Sequence, residues 1–216
     1  MIEKFCILAA SCFACSSVYA EVLISEVMAK NSTGVVTQRG GKELDWIELA
    51  NTGDEDVDVS GWYLSGNRGK AKKKWNMIEG RAVVPAGGFL VVWADKEYDQ
   101  FASDEAYVRL GISTSGEELF LASPETESIS DEMVFSFGQQ IKDISFGRVA
   151  DGSCAYFKEP TPGGANVTAG YDPSGMRQRI ASWRRCSWSK GVPTQLHLRR
   201  RTSWSRRSSP MRTVGA

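Results

Sequence analysis

The stretch Asp45-Trp46-Ile47-Glu48-Leu49-Ala50-Asn51-Thr52-Gly53 decides the fold of this chain. Its side chains alternate, with Trp46 and Glu48 on one face and Ile47 and Leu49 on the other, which is the period-two repeat of a β-strand. Thr52-Gly53-Asp54 then supplies turn chemistry. One face of such a strand must be core; Ile47 and Leu49 are expected to point inward, with Trp46 packing at a sheet rim.

The same pattern extends in both directions. Short β-rich stretches are predicted at Val22–Met28, Trp46–Asn51, Val57–Val59, Trp62–Ser65, Lys74–Met77, Arg81–Val84, Phe89–Ala94, Tyr107–Leu110, Glu118–Ala122, Glu132–Phe137 and Ile144–Arg148. Between them lie glycine and proline corners such as Ser65-Gly66-Asn67 and Pro85-Ala86-Gly87-Gly88, and Gly111 to Gly116 reads as a hairpin turn. From Val22 to Val149 no stretch of eleven or more residues sustains a 3.6-residue apolar period, so the fold class is all-β, a sandwich or a barrel.

The chain ends differ from this body. Met1-Ile2-Glu3-Lys4, an apolar run from Phe5 to Ala14 and then Val18-Tyr19-Ala20 have the form of a signal peptide, with cleavage expected after Ala20. The apolar run is too short to cross a hydrocarbon core of roughly 30 Å as a helix. The zero formal charge is a cancellation: Glu21 to Gly175 carries 14 Lys and Arg against 25 Asp and Glu, a net of −11, while Met176 to Ala216 carries 11 Lys and Arg and no acid. Residues 1–20 are therefore read as a leader, 21–168 as one domain and 169–216 as a basic Arg, Ser and Trp-rich tail. That tail is either the product of a shifted reading frame or an authentic disordered segment, since like charge and low hydrophobicity keep such a stretch unfolded. Of five cysteines only Cys154 and Cys186 lie beyond the leader, so a hydrophobic core of about 155 residues, not a disulfide framework, is expected to hold the domain.

Seven blocks, in order, resemble bacterial lamin-tail domains. They are Val22-Leu-Ile-Ser-Glu26-Val-Met28 with Asn31; Asp45 to Gly53; Val57-Asp-Val-Ser-Gly-Trp-Tyr-Leu64; Lys74-Trp75 with Val84 to Asp95; Leu110 to Leu119; Ser145-Phe-Gly-Arg148 with Asp151-Gly152; and Pro160-Thr-Pro-Gly-Gly-Ala-Asn166. The resemblance implies an immunoglobulin-like β-sandwich, the fold of a domain found in nuclear lamins and, in bacteria, in exported proteins beside nuclease or kinase-type domains. It implies no catalytic residue. In longer members a second domain often follows the last block, where this chain has its basic tail.

The residues themselves also argue against catalysis. Glu21 to Gly175 contains no histidine, and the single His197 lies in the tail, so a Ser-His-Asp or Cys-His arrangement and a histidine-bearing zinc site have no residues to be built from. Cys154 reads as a small buried apolar residue rather than a nucleophile. Glu26, Asp45 and Glu48 are placed to meet across neighbouring strands, but paired-acid glycoside hydrolysis needs a deep sugar cleft that a compact sandwich rarely offers. Asp54, Glu55, Asp56 and Asp58 crowd one turn; solvated acids are the ordinary reading, weak calcium binding the alternative. Trp46, Trp62, Trp75 and Trp93 read as packing residues. Asn31-Ser-Thr33 and Asn166-Val-Thr168 are glycosylation sequons whose relevance depends on the host.

One basic segment interrupts the acidic domain. Arg68, Lys70, Lys72, Lys73 and Lys74, next to Trp75, form a candidate polyanion site, the alternative being a solvated loop with Trp75 turned into the core. The expected function is thus an exported, non-enzymatic binding or scaffolding module, secreted or at the cell surface, attaching to a protein or envelope component and needing no cofactor. The alternatives are a DNA- or anionic-glycan-binding domain and the surviving module of a larger exported enzyme. The acidic balance of the domain lowers the case for general nucleic-acid binding.

Overall fold

The computed structural model describes residues 22–167, except Arg39, Asn67, Ser103, Asp131 and Glu132. The expected leader (1–20) and the whole of the expected basic tail (169–216), with His197 and Cys186, fall outside the described residues, as does Thr168. Twelve strands run through the described part: β1 Val22–Met28, β2 Asp45–Asn51, β3 Val57–Asp58, β4 Tyr63–Ser65, β5 Asn76–Gly80, β6 Val83–Val84, β7 Phe89–Ala94, β8 Ala106–Val108, β9 Glu117–Ala122, β10 Val134–Phe137, β11 Ser145–Arg148 and β12 Cys154–Phe157. A short 3-10 turn lies at Lys72–Lys74.

Ten strands form one sheet in the order β10-β9-β4-β5-β8-β7-β2-β1-β11-β12, and β3 pairs separately with β6. The sheet curls on itself through β5, whose start pairs with β4 and whose end pairs with β8. Its two wings thereby pack face to face. Ile24, Ile47, Leu49, Val92 and Phe146 of one wing share a core with Leu64, Leu119, Phe135 and Phe137 of the other. This is the all-β class that the alternation predicts, in the immunoglobulin-like sandwich form that the resemblance implies. β7 and β8 pair in parallel, Val92 beside Ala106, so the chain between them crosses the sheet rather than turning back on itself.

The inner face of β2 is as expected, because Ile47 and Leu49 are fully buried. Its outer face is not solvent. Trp46 is 1% exposed and packs with Met28 and Trp93 under Leu44, Phe101 and Tyr107, so it lies in a second small core and not at a rim. A β-bulge in β1 produces this arrangement: the register with β2 slips between Ile24 and Glu26, adding Ser25. Val22, Ile24 and then Val27 face the main core, which turns Glu26 and Met28 outward beside Glu48 and Trp46.

Other departures follow from local geometry. The expected strand at Lys74–Met77 starts only at Asn76, since the lysines are wound into the 3-10 turn that carries Trp75 into a satellite core with Phe120 and Tyr63. Gly111 to Gly116 is not a hairpin turn, because β8 and β9 do not pair. Gly116 (φ +92°) instead passes the end of β10, where a Cβ would lie 2.5 Å from the Phe137 carbonyl oxygen. β12 went unrecognised in the sequence; a turn closed by Val149 N–H to Ser153 O, with Gly152 at positive φ, folds it back on β11.

Leu49→Ala is expected to lower the unfolding free energy by about 2–5 kcal/mol, the range for truncating a fully buried leucine, measured by urea denaturation.

Candidate functional site

Two features stand out on the surface side of this framework, and the first is sealed. The bulge places Glu26 directly opposite Glu48 across the β1–β2 pair, and neither retains exposed surface. A strap formed by residues 158–167 lies over them. Ser145 Oγ donates to Glu26 and Ser25 Oγ to Glu48. From the strap, the Thr161 N–H donates to Glu26 at 3.4 Å, with the Thr161 hydroxyl 3.3 Å from the same carboxyl, and the Gly163 N–H donates to Glu48 at 2.6 Å.

Asn166 fastens the far end of the strap. Its side-chain NH2 donates to the carbonyls of Arg148 (2.9 Å) and Ser25 (3.3 Å), and its oxygen accepts the Thr161 hydroxyl at 2.9 Å. Space for this comes from Gly147, which lies opposite Glu26 on β11. A Cβ there would sit 2.7 Å from both the Asn166 amide and the Ser25 carbonyl. The strap is thus seated by the bulge, by a glycine and by two carboxylates.

Burial dominates the electrostatics here. It pushes Glu48 up to about 8, with the neighbouring Glu26 adding to the shift and the bonds from Ser25 and Gly163 opposing it. Glu26 is raised as well, again chiefly by burial and against the bonds from Ser145 and Thr161. Asp45 does not join this pair. It sits at the start of β2, accepts the Asn31 N–H at 3.3 Å, and is pushed by burial to about 6. Of the three acids expected to meet across neighbouring strands, two do.

The second feature is the basic segment, which the structure divides. Arg68 lies 3.7 Å from Glu118, and Lys72 donates to the Pro124 carbonyl with Glu127 at 3.5 Å. Lys70, Lys73 and Lys74 are exposed. Trp75 is buried, its indole N–H donating to the Lys70 carbonyl at 3.0 Å, so it braces the loop from below and offers no stacking face.

The remaining candidates are occupied by structural work. Asp56 accepts the Ala86 N–H and Asp58 the Ser60 N–H, each at 2.9 Å, and among the described residues no three His, Cys, Asp or Glu side chains gather where a metal ion could be held. The Asn31 side chain is buried and donates to Val35 O and Leu44 O. Both sequon asparagines therefore spend their amide hydrogens inside the fold. Cys154 is half-buried against the main core and disulfide-bonded, so it is neither a free thiol nor the simple apolar filler expected of it.

A family model described as Lamin Tail Domain matches residues 16–135, more than half of the chain. No curated protein and no solved structure matches it.

Asn166→Ala removes the donor shared by two backbone carbonyls and one anchor of the strap. A loss of about 1–3 kcal/mol is expected, the scale for leaving buried polar groups unpaired, read as a lowered denaturation midpoint with the strands intact by circular dichroism.

Proposed function

Because the chain belongs to the lamin tail domain family, a non-catalytic immunoglobulin-like domain that mediates binding and scaffolding, we propose that it is an exported attachment module. In this reading the leader is removed after Ala20, and the sandwich joins a protein or cell-envelope component to whatever accompanies it. The observation that carries the proposal is the sheet edge at β10. Among the described residues β10 pairs only with β9, which leaves a row of backbone groups able to accept an added strand. Val35 and Val36 add adjacent exposed apolar side chains. The sealed acid pair supports a role without chemistry, since Glu26 and Glu48 have no opening to substrate.

A second reading rests on the basic segment and assigns it to an anionic polymer. The pairing of Arg68 with Glu118 and of Lys72 with Glu127 reduces the charge available and counts against it. Expressed with its own leader, the chain is expected to appear outside the cytoplasm with Glu21 at its N-terminus, as N-terminal sequencing checks. The purified mature chain should bind envelope material equally well before and after the combined substitutions Lys70→Glu, Lys73→Glu and Lys74→Glu. Retention of the unsubstituted chain on DNA or heparin resin at low salt, abolished by the triple variant, would establish the second reading instead.

A further inference from the structure

Glu26 and Glu48 pose a charge problem that the fold solves in an unusual way. They face each other across paired strands, both are fully buried, and each of their hydrogen-bond donors is an uncharged hydroxyl or backbone N–H. None of the ion pairs among the described residues includes either. The elements around them supply no countercharge. β7 presents Val91 opposite Glu48, and β11 presents Gly147 and Ser145 to Glu26. Arg148 turns to the inner side, its Nε on the Ile24 carbonyl and its guanidinium 5.1 Å from the Phe135 ring. The strap contributes Thr161, Gly163 and Asn166, while its charged members Lys158 and Glu159 are exposed. Asp45, on the same strand as Glu48, is held at Asn31.

Two carboxylates on cross-strand partners, with no cation beside them among the described residues, cannot both be ionised in a dry site. At least one proton is therefore part of the closed structure. The strap is also the part most easily lost. β1 is laddered on both sides by β2 and β11, and β2 by β1 and β7, whereas residues 160–166 are held by side-chain contacts and a few bonds to the two acids. Segments held this way open at lower free energy than ladder strands.

We propose that the strap is a proton-held clasp: it stays shut over the outer face of β1 and β2 while the Glu26–Glu48 pair keeps a proton, and lifts when both carboxylates ionise. Opening uncovers an acidic patch of Ser25, Glu26, Glu48 and Ser145. The direction follows from the acids' behaviour. A carboxyl held above its ordinary value of 4.5 favours the closed form fully below that value, and the contribution is lost as pH rises through about 8. The clasp is thus held most tightly in acid and loosens progressively as pH rises to about 8.

Backbone amide protection factors, corrected for the intrinsic exchange rate at each pH, test this on the full chain. Protection of the Thr161 and Gly163 amides is expected to fall by roughly tenfold per pH unit between about pH 6.5 and 8 and to level off above that, while the β2–β7 ladder amides stay unchanged. In Glu48→Gln, which mimics the protonated acid, the fall should vanish. Protection of the unsubstituted strap that is flat between about pH 6.5 and 8, or a fall of equal size in Glu48→Gln, overturns the proposal. Should Glu48→Gln fail to fold, carboxyl carbon NMR titration of the unsubstituted chain decides: one of the two carboxyls titrating near 8 upholds the clasp, and both titrating near 4.5 refutes it.

Discussion

Burial of β2 on both faces is the constraint on which the rest of the structure depends. A strand at the middle of a curled sheet has no face to spare for solvent unless something on the outside is left open, and here two covers close it. Phe101, Tyr107 and Leu44 lie over Trp46, and the strap lies over Glu48. The bulge at Ser25 makes both covers possible, because it aligns Met28 with Trp46 and Glu26 with Glu48 on one surface. Apolar neighbours then fill one half of that surface by packing alone. The other half must satisfy two carboxyl groups, and the strap does so with backbone N–H groups, one of them from Gly163 at a positive φ that residues with side chains rarely adopt.

This division explains how an acid-rich domain places two glutamates in its interior without becoming an enzyme site. Acids that serve proton transfer sit in a cleft that substrate can enter. Glu26 and Glu48 have the raised proton affinity of such groups but lie beneath a lid formed by their own chain, with serine and threonine hydroxyls as their partners. Their chemistry is spent on holding the fold, in keeping with a family that binds and scaffolds.

The sequence made the strands legible because alternation over five to seven residues reports a pleated segment directly; Val22–Met28 and Phe89–Ala94 are found where the pattern puts them. Which residues cover a strand is a different kind of information. Trp46 and Glu48 read as a rim and a wet face because their cover comes from residues around 101 and 161, remote in the chain and devoid of strand periodicity. The block Pro160 to Asn166 was recognised by its resemblance to a family, yet nothing in its composition says that it lies on two carboxylates. The basic segment was likewise visible as charge, while its division by Glu118 and Glu127 depends on contacts about fifty residues away. The β12 strand escaped because its four residues follow an Asp-Gly turn with only half-buried alternation.

The most direct test is the slope of unfolding free energy against pH on the full chain, taken by urea denaturation between about pH 6.5 and 7.5, below the value to which Glu48 is raised and above that of Asp45. If a proton is held between Glu26 and Glu48, the folded chain binds one more proton than the unfolded chain in this window. Stability must then decline by about 1.4 kcal/mol per pH unit. Stability that is constant or rises across the window would mean that both carboxylates are ionised in the folded domain, and the two-faced burial of β2 described above would be wrong.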